Sequence, residues 1–221
     1  MPSTIVHAGF ALLLAAGLLG SFYDRRALAI VLVVVVFPEA DTLAGWVMDG
    51  AHRTLLHNAV VTAVAGAVLL WDTRREESWL RERFGDYGVR VAWVCLFIHT
   101  FAHLALDWAH LEGVNMLWPL HDQFFRLEGA LYLSTHEGLV QTFVDVTADP
   151  DTGVAVFDVG GGESRQGTHV ANPAQPTADP TPAPVDRRFP IAFHGWQLFL
   201  VVVGLFVVAA KRLQSSPPER E

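Results

Sequence analysis

Lysine and cysteine are almost absent from this chain, and charge of either sign is scarce. A single lysine, Lys211, stands among 221 residues whose formal net charge is -8. Nucleic acid is thereby excluded as a partner, because neutralising phosphates takes many lysines and arginines on one surface. One cysteine, Cys95, excludes an internal disulfide and a cysteine-rich zinc site, and its apolar surroundings make it a small core residue. Charged residues make up 17% of the chain against 52% hydrophobic ones, a balance that excludes an ordinary soluble domain. The three glycines at 160–162 are not followed by Gly-Lys-Ser/Thr, there is no HExxH, and no box surrounds Ser3, Ser21 or Cys95. A phosphate loop and an intramembrane protease are therefore poor readings.

What is present is a set of apolar runs interrupted too often for a single anchor. The pattern predicts an all-α membrane protein, a bundle of about five transmembrane helices embedded in a lipid bilayer. The runs cover residues 5–23, 27–37, 54–71, 88–106 and 191–210. The first is read as a retained helix, since Arg25 and Arg26 follow it and no charged residue precedes His7, unlike a secretory signal. The second is cut short by Pro38, Glu39 and Asp41, which predicts a broken or re-entrant turn before Trp46, tolerable at membrane depth only beside a polar cavity. A charged loop over 72–87 separates the third run from the fourth.

Counting basic residues orients the bundle. Arg25, Arg26, Arg74, Arg75, Arg81, Arg83, Arg90, Lys211 and Arg212 fall on one side if the N-terminus is outside and the C-terminus cytoplasmic. The expected organisation is a transmembrane core over 1–125, an extracytoplasmic acidic loop over 126–190, and a final helix with a short cytoplasmic tail over 191–221. Within the loop, "ALYLSTHEGLVQTFVDV" alternates with period two and predicts a small β-hairpin turning at "STHEG". The Gly- and Pro-rich stretch from "GGGESRQG" onward predicts a flexible chain.

That topology puts the polar residues of the apolar runs on one membrane face. His7 opens the first run, Asp41 ends the second, His52 and His57 open the third, and His103 and Asp107 close the fourth. Uncompensated burial of such groups costs several kcal/mol, so their agreement points to a shared site. His99, His103 and Asp107 recur at helical spacing, so His103 and Asp107 can share an ion, or Asp107 can orient the His103 ring. His52 belongs to a turn and His57 to the helix proper. Imidazole nitrogen with carboxylate oxygen suits a divalent metal ion, Zn²⁺ first, with Mn²⁺ or Fe²⁺ as alternatives, and an open coordination position implies hydrolytic chemistry. Arg53 is placed to pair with a substrate phosphate. His99, His110, His121, His136, His169 and His194 read as interfacial anchors or caps.

The order His7, "PEAD" at 38–41, "HRTLLHN" at 52–58, "HLALDW" at 103–108 and "WPL" at 118–120 resembles the YdjM-like family of membrane-bound metal-dependent hydrolases. The likeness covers residues 1–125. It departs from the family pattern where Glu39 replaces the first Asp of a P-D-x-D turn and Asn58 replaces a Ser. A more distant similarity links the same ordering to the zinc-dependent phospholipase C family. The resemblance implies a metal-dependent hydrolase and the second similarity a phosphoester substrate, while the site's place at headgroup depth on the outer face points to a lipid or other amphiphilic phosphoester. The expected metal ligands are Asp41, His57, His103 and Asp107, then His7 and His52. Glu39 or Asp107 would take a proton from water, and Arg53 would steady the phosphate. Two competing readings are a metal-ion transporter or channel, and a non-catalytic adaptor whose His and Asp pairs tie helices together.

Overall fold

The computed structural model describes residues 3–110, 112–129, 131–135, 138–148, 155–158, 160–167 and 195–214. The chain divides into two compact units. One comprises Pro2–Ala40, Val61–His103 and Pro176–Glu221, and the other Asp41–Val60 and Leu104–Gln175 with Met1.

The first unit is helical. It is built from α1 (Thr4–Leu18), α2 (Arg25–Val36), most of α3 (Ala59–Arg74), α4 (Trp79–Ile98) and, late in the chain, Gly195–Gln214. Small or β-branched residues recur one turn apart along the packed faces: Ala11 and Ala15 on α1, Ala27, Val31 and Val35 on α2, and Val91, Val94, Cys95 and Ile98 on α4. Short side chains at that period let helices approach closely, and larger ones such as Leu14, Leu19 and Ile98 fill in beside them. The contacts also give the helix directions. His7 near the start of α1 meets Ala102 beyond α4 while Leu18 at its end meets Arg90, so α1 and α4 are antiparallel. Asp24, capping α2, meets Tyr87 early in α4, so α2 and α4 run the same way.

Among the described residues, two helices are long and apolar enough to cross a membrane, Arg25–Trp46 with 22 residues and Trp79–Trp108 with 30. The run at 5–23 does not form one helix: the α-helix Thr4–Leu18 has 15 residues and ends before the turn at Gly20, whose φ of 56° puts it in the left-handed region. Helix α3 starts at Ala59, five residues later than the apolar run. Helix α4 starts at Trp79 rather than 88, so half of the expected charged loop is helix. Ser78 caps it by accepting from Arg81 N at 3.2 Å, and Asp72 accepts from Trp79 N at 3.0 Å and Leu80 N at 3.2 Å. The helix kinks at Gly85, with φ 64° and ψ -165°. As the sequence predicts, α2 does not run straight to Trp46: Pro38 removes a backbone donor, and Phe37–Trp46 is a 3-10 helix.

The second unit is mostly irregular. It holds residues 51–58, the short helix α5 (Ala105–Trp108) and two antiparallel ladders. β1 (Leu131–Ser134) pairs with β2 (Gly138–Gln141) across the "STHEG" turn, with Ser134 opposite Gly138. β3 (Asp145–Ala148) pairs with β4 (Ala155–Asp158). The start of the Gly-rich stretch is ordered: Gly162 N donates to Phe124 O at 2.7 Å, Phe124 N to Glu163 O at 3.0 Å, and Arg165 N to Asp122 Oδ1 at 3.2 Å. A strand-like backbone pairing beside buried Val114 and Phe124 does this. Residues 168–194, which hold the Pro-rich segment, His169, His194, Arg187 and Arg188, lie outside the described residues, as does His136. The final helix of the chain, Gly195–Gln214, is α6.

Candidate metal centre

In the second unit the "HRTLLHN" box is a set of turns, not the first turn of α3. Arg53 adopts a φ of 61°, uncommon for a residue with a side chain, which reverses the chain between the two histidines. Asn58 holds the next reversal, its Nδ2 donating to Thr54 O at 2.7 Å and Leu55 O at 3.0 Å. His57 therefore precedes the helix proper, contrary to the sequence expectation. The turns aim both imidazoles at one carboxylate: His52 Nδ1 donates to Asp41 Oδ1 at 2.9 Å and His57 Nδ1 to Asp41 Oδ2 at 2.8 Å. A carboxylate accepts and cannot donate, so each ring carries a hydrogen on Nδ1 and, as a neutral imidazole, its lone pair on Nε2. This is the arrangement in which a second carboxylate orients a metal-binding histidine.

Asp107, on α5, is buried and bound by the equally buried Arg53, whose Nη2 donates to Oδ1 at 2.9 Å. Arg53 Nη1 donates to Gly113 O at 2.9 Å and lies 3.6 Å from Glu112 Oε2. The other Asp107 oxygen, Oδ2, sits 3.6 Å from His57 Nε2. That spacing is long for a hydrogen bond but close to the roughly 3.4 Å between two ligands of one tetrahedral ion with bonds of about 2.1 Å. His52 Nε2 is buried and has no hydrogen-bond partner among the described residues.

In the helical unit a second set forms around α1. His7 and His103 are fully buried and stack with ring centroids 4.4 Å apart. His7 Nδ1 donates to Ala102 O at 2.8 Å, leaving the lone pair on Nε2. His103 lies in a π-helical segment, His99–Leu104, which widens the turn, and His99 stacks on it at 6.1 Å. Ligand atoms of His7, Glu39 and His103 lie within 4.8 Å of one another, near the reach of a single divalent ion. Within each unit the structure thus brings candidate residues into contact.

Sequence reasoning missed the two backbone carbonyls, Ala102 O and Gly113 O, that hold His7 and Arg53. Gly113 left a trace as a turn glycine, with φ 66°, shortly after the "HLALDW" box. Ala102 left none, because any residue supplies a carbonyl. It also missed Glu112 beside Arg53. His110, half-buried past α5, is held below the usual imidazole range first by burial and further by the charge of Arg53, against the opposite pull of Glu112 and Asp107. It accepts from Glu112 N at 3.5 Å through Nδ1.

The family model "YdjM inner membrane protein" matches residues 1–162, well over half of the chain. The chain belongs to the YdjM inner membrane protein family. Inner membrane protein YbcI of Escherichia coli (strain K12) is 28% identical over 132 residues, covering 57% of this chain and 72% of YbcI. No solved structure matches. The family match reaches past residue 125, where the sequence motifs end, through both β ladders to Gly162. This YdjM-family chain is therefore an inner membrane protein with buried His and Asp or Glu groups that could hold a metal ion.

Proposed function

We propose that this YdjM-family protein is a membrane-bound metal-dependent hydrolase acting on a phosphoester or lipid-like substrate at the outer membrane face. The observation that carries the reading is the shared orientation of three buried imidazoles: His7, His52 and His57 each turn Nδ1 to an oxygen acceptor, so that as neutral rings they keep Nε2 for a metal ion. A helix-tying role alone would not require that choice of nitrogen in all three. Neutral imidazole nitrogens and carboxylates, without thiolate, suit Zn²⁺ best, with Mn²⁺ or Fe²⁺ next. A bound divalent ion of this kind supplies Lewis acidity and lowers the pKa of water towards about 7.

The chain's own residues divide the remaining work. His7 and His103 are the ligands in the helical unit and His57 and Asp107 those in the second unit, where Asp41 holds the rings of His52 and His57 and His52 offers its own Nε2. Arg53 fixes Asp107 through Oδ1 and, as the one buried guanidinium among the described residues, supplies positive charge for a substrate phosphate. Asp107, committed to Arg53, is the poorer proton acceptor. Half-buried Glu39 is the better one, and takes the proton from water.

Orientation belongs to the same reading. α1 and α6 run in the same direction, Gly9 lying against Val201 and Tyr23 5.7 Å from Lys211, which supports an odd number of crossings between the chain ends. With the arginine distribution this favours five spans, N-terminus out and C-terminus cytoplasmic, with 126–190 as the extracytoplasmic segment.

The test is elemental mass spectrometry on the detergent-purified full chain, followed by hydrolysis assays on phosphoesters and phospholipids. Near-stoichiometric Zn, Mn or Fe, lost in a monodisperse His103→Ala variant together with hydrolysis, is the expected result. A wild-type protein that takes up none of these ions on reconstitution overturns the reading.

A further inference from the structure

The outer surface of the helical unit carries a groove that the hydrolase reading does not use. It lies along α4, has a volume of about 350 Å³, and is lined by Trp93, Phe97, Thr100 and Phe101, closed at one end by Leu18 and Arg90. The volume is in the range of small-ligand pockets, roughly 300–1,000 Å³. From Arg90 to Phe101 the groove spans about 16 Å at ~1.5 Å of rise per residue.

Its two ends differ in chemistry. The far end is aromatic: Phe97 and Phe101 pack with centroids 4.4 Å apart yet remain 41% and 48% exposed. Thr100 adds no free hydroxyl there, because its Oγ1 donates back to Leu96 O at 2.8 Å. The near end is cationic. Arg90 is exposed, and its Nε donates to Leu18 O at 2.8 Å, which pins the guanidinium over the end of α1 and leaves both Nη groups for another acceptor. No carboxylate lines the groove, and none among the described residues lies within ion-pair distance of Arg90.

An elongated apolar trough with a fixed, unneutralised guanidinium at one end matches an amphiphile with an acyl chain and an anionic head. We propose that this groove binds an anionic glycerophospholipid, its phosphate on Arg90 and an acyl chain along Trp93, Phe97 and Phe101. Arginine is suited to the head because its fork meets two phosphate oxygens at once. Basic pockets between transmembrane helices on the arginine-rich side recognise lipid heads in this way. The site is a lipid-binding site, separate in its residues from the histidine groups, and stands whether or not the protein is a hydrolase.

Native mass spectrometry of the full chain in non-ionic detergent tests it, with phosphatidylglycerol and phosphatidylcholine of identical acyl chains as probes. The expected result is a monomer retaining phosphatidylglycerol at least fivefold more than phosphatidylcholine. Arg90→Gln removes that preference, Arg90→Lys keeps part of it, and Thr100→Trp, which fills the trough and spares the charge, lowers retention of both lipids at least fivefold. Equal retention of the two lipids by wild type, unchanged retention in Arg90→Gln and Thr100→Trp, or a lipid-free dimer seated on this face would each overturn the assignment.

Discussion

Arg53 is the most heavily committed residue of the candidate site. Its buried charge is matched by Asp107 and by a backbone carbonyl, and removing one partner of such a pair leaves the other uncompensated. Arg53→Gln is expected to destabilise the fold by about 3–5 kcal/mol, read from denaturant unfolding in detergent. His103→Ala is expected to behave differently, with metal content falling to background while helicity by circular dichroism is kept. Part of this was legible beforehand. The spacing of His103 and Asp107 and the clustering of His52, Arg53 and His57 are visible in the chain, so these residues could be picked out as candidates. Their roles could not, because which nitrogen of a histidine is free depends on what the other one meets, and that partner is Asp41 at eleven and sixteen residues' remove, or a backbone oxygen 95 residues away.

At the scale of elements, caps and glycines decide where helices begin and how closely they pack. Ser78 is buried and ties the start of α4 to Asp72, so Ser78→Ala is expected to cost about 1 kcal/mol in the same unfolding measurement. Asp24 caps α2 by accepting from Ala27 N at 2.7 Å, and this bond, aided by the Tyr87 hydroxyl, holds its carboxyl below the usual range. A lowered folded-state pKa contributes stability above the ordinary aspartate value, near ~3.9, that is lost as pH falls through the folded value. Thermal unfolding scanned from pH 6 downward is expected to show that acid loss in wild type and a shallower one in Asp24→Ala. Gly9 meets α6 so closely that an added Cβ would lie 2.6 Å from Val201 Cα, and Gly204 is opposed to the Gly9 backbone. Gly9→Val is expected to cost about 1–3 kcal/mol by overpacking, with a lower melting temperature as its readout. The apolar runs were plain in the sequence, yet their ends were displaced by these caps and by Gly20 and Gly85, since hydropathy averages over a window and a cap is one residue.

For the whole molecule, the family match makes this an inner membrane protein, and the direction of its crossings is the next thing to measure. Cysteine accessibility is convenient because Cys95 is buried and is the one cysteine in the chain. A cysteine introduced at Ser216 is expected to be shielded from an impermeant maleimide in intact cells, and one at Thr142 to be labelled. Composition and periodicity alone determined that this chain is apolar, multi-helical and unsuited to nucleic acid, and that its polar residues gather at the ends of its apolar runs. Those are properties of neighbours in sequence, set by burial of side chains at a helical repeat. Tertiary structure alone decided that Asp41 holds two imidazoles, that Arg53 faces Asp107, that His7 stacks on His103, and that Arg90 stands pinned over the end of α1. Each of these joins residues far apart along the chain through a hydrogen bond or a ring contact, and such directional contacts depend on how the backbone turns between them.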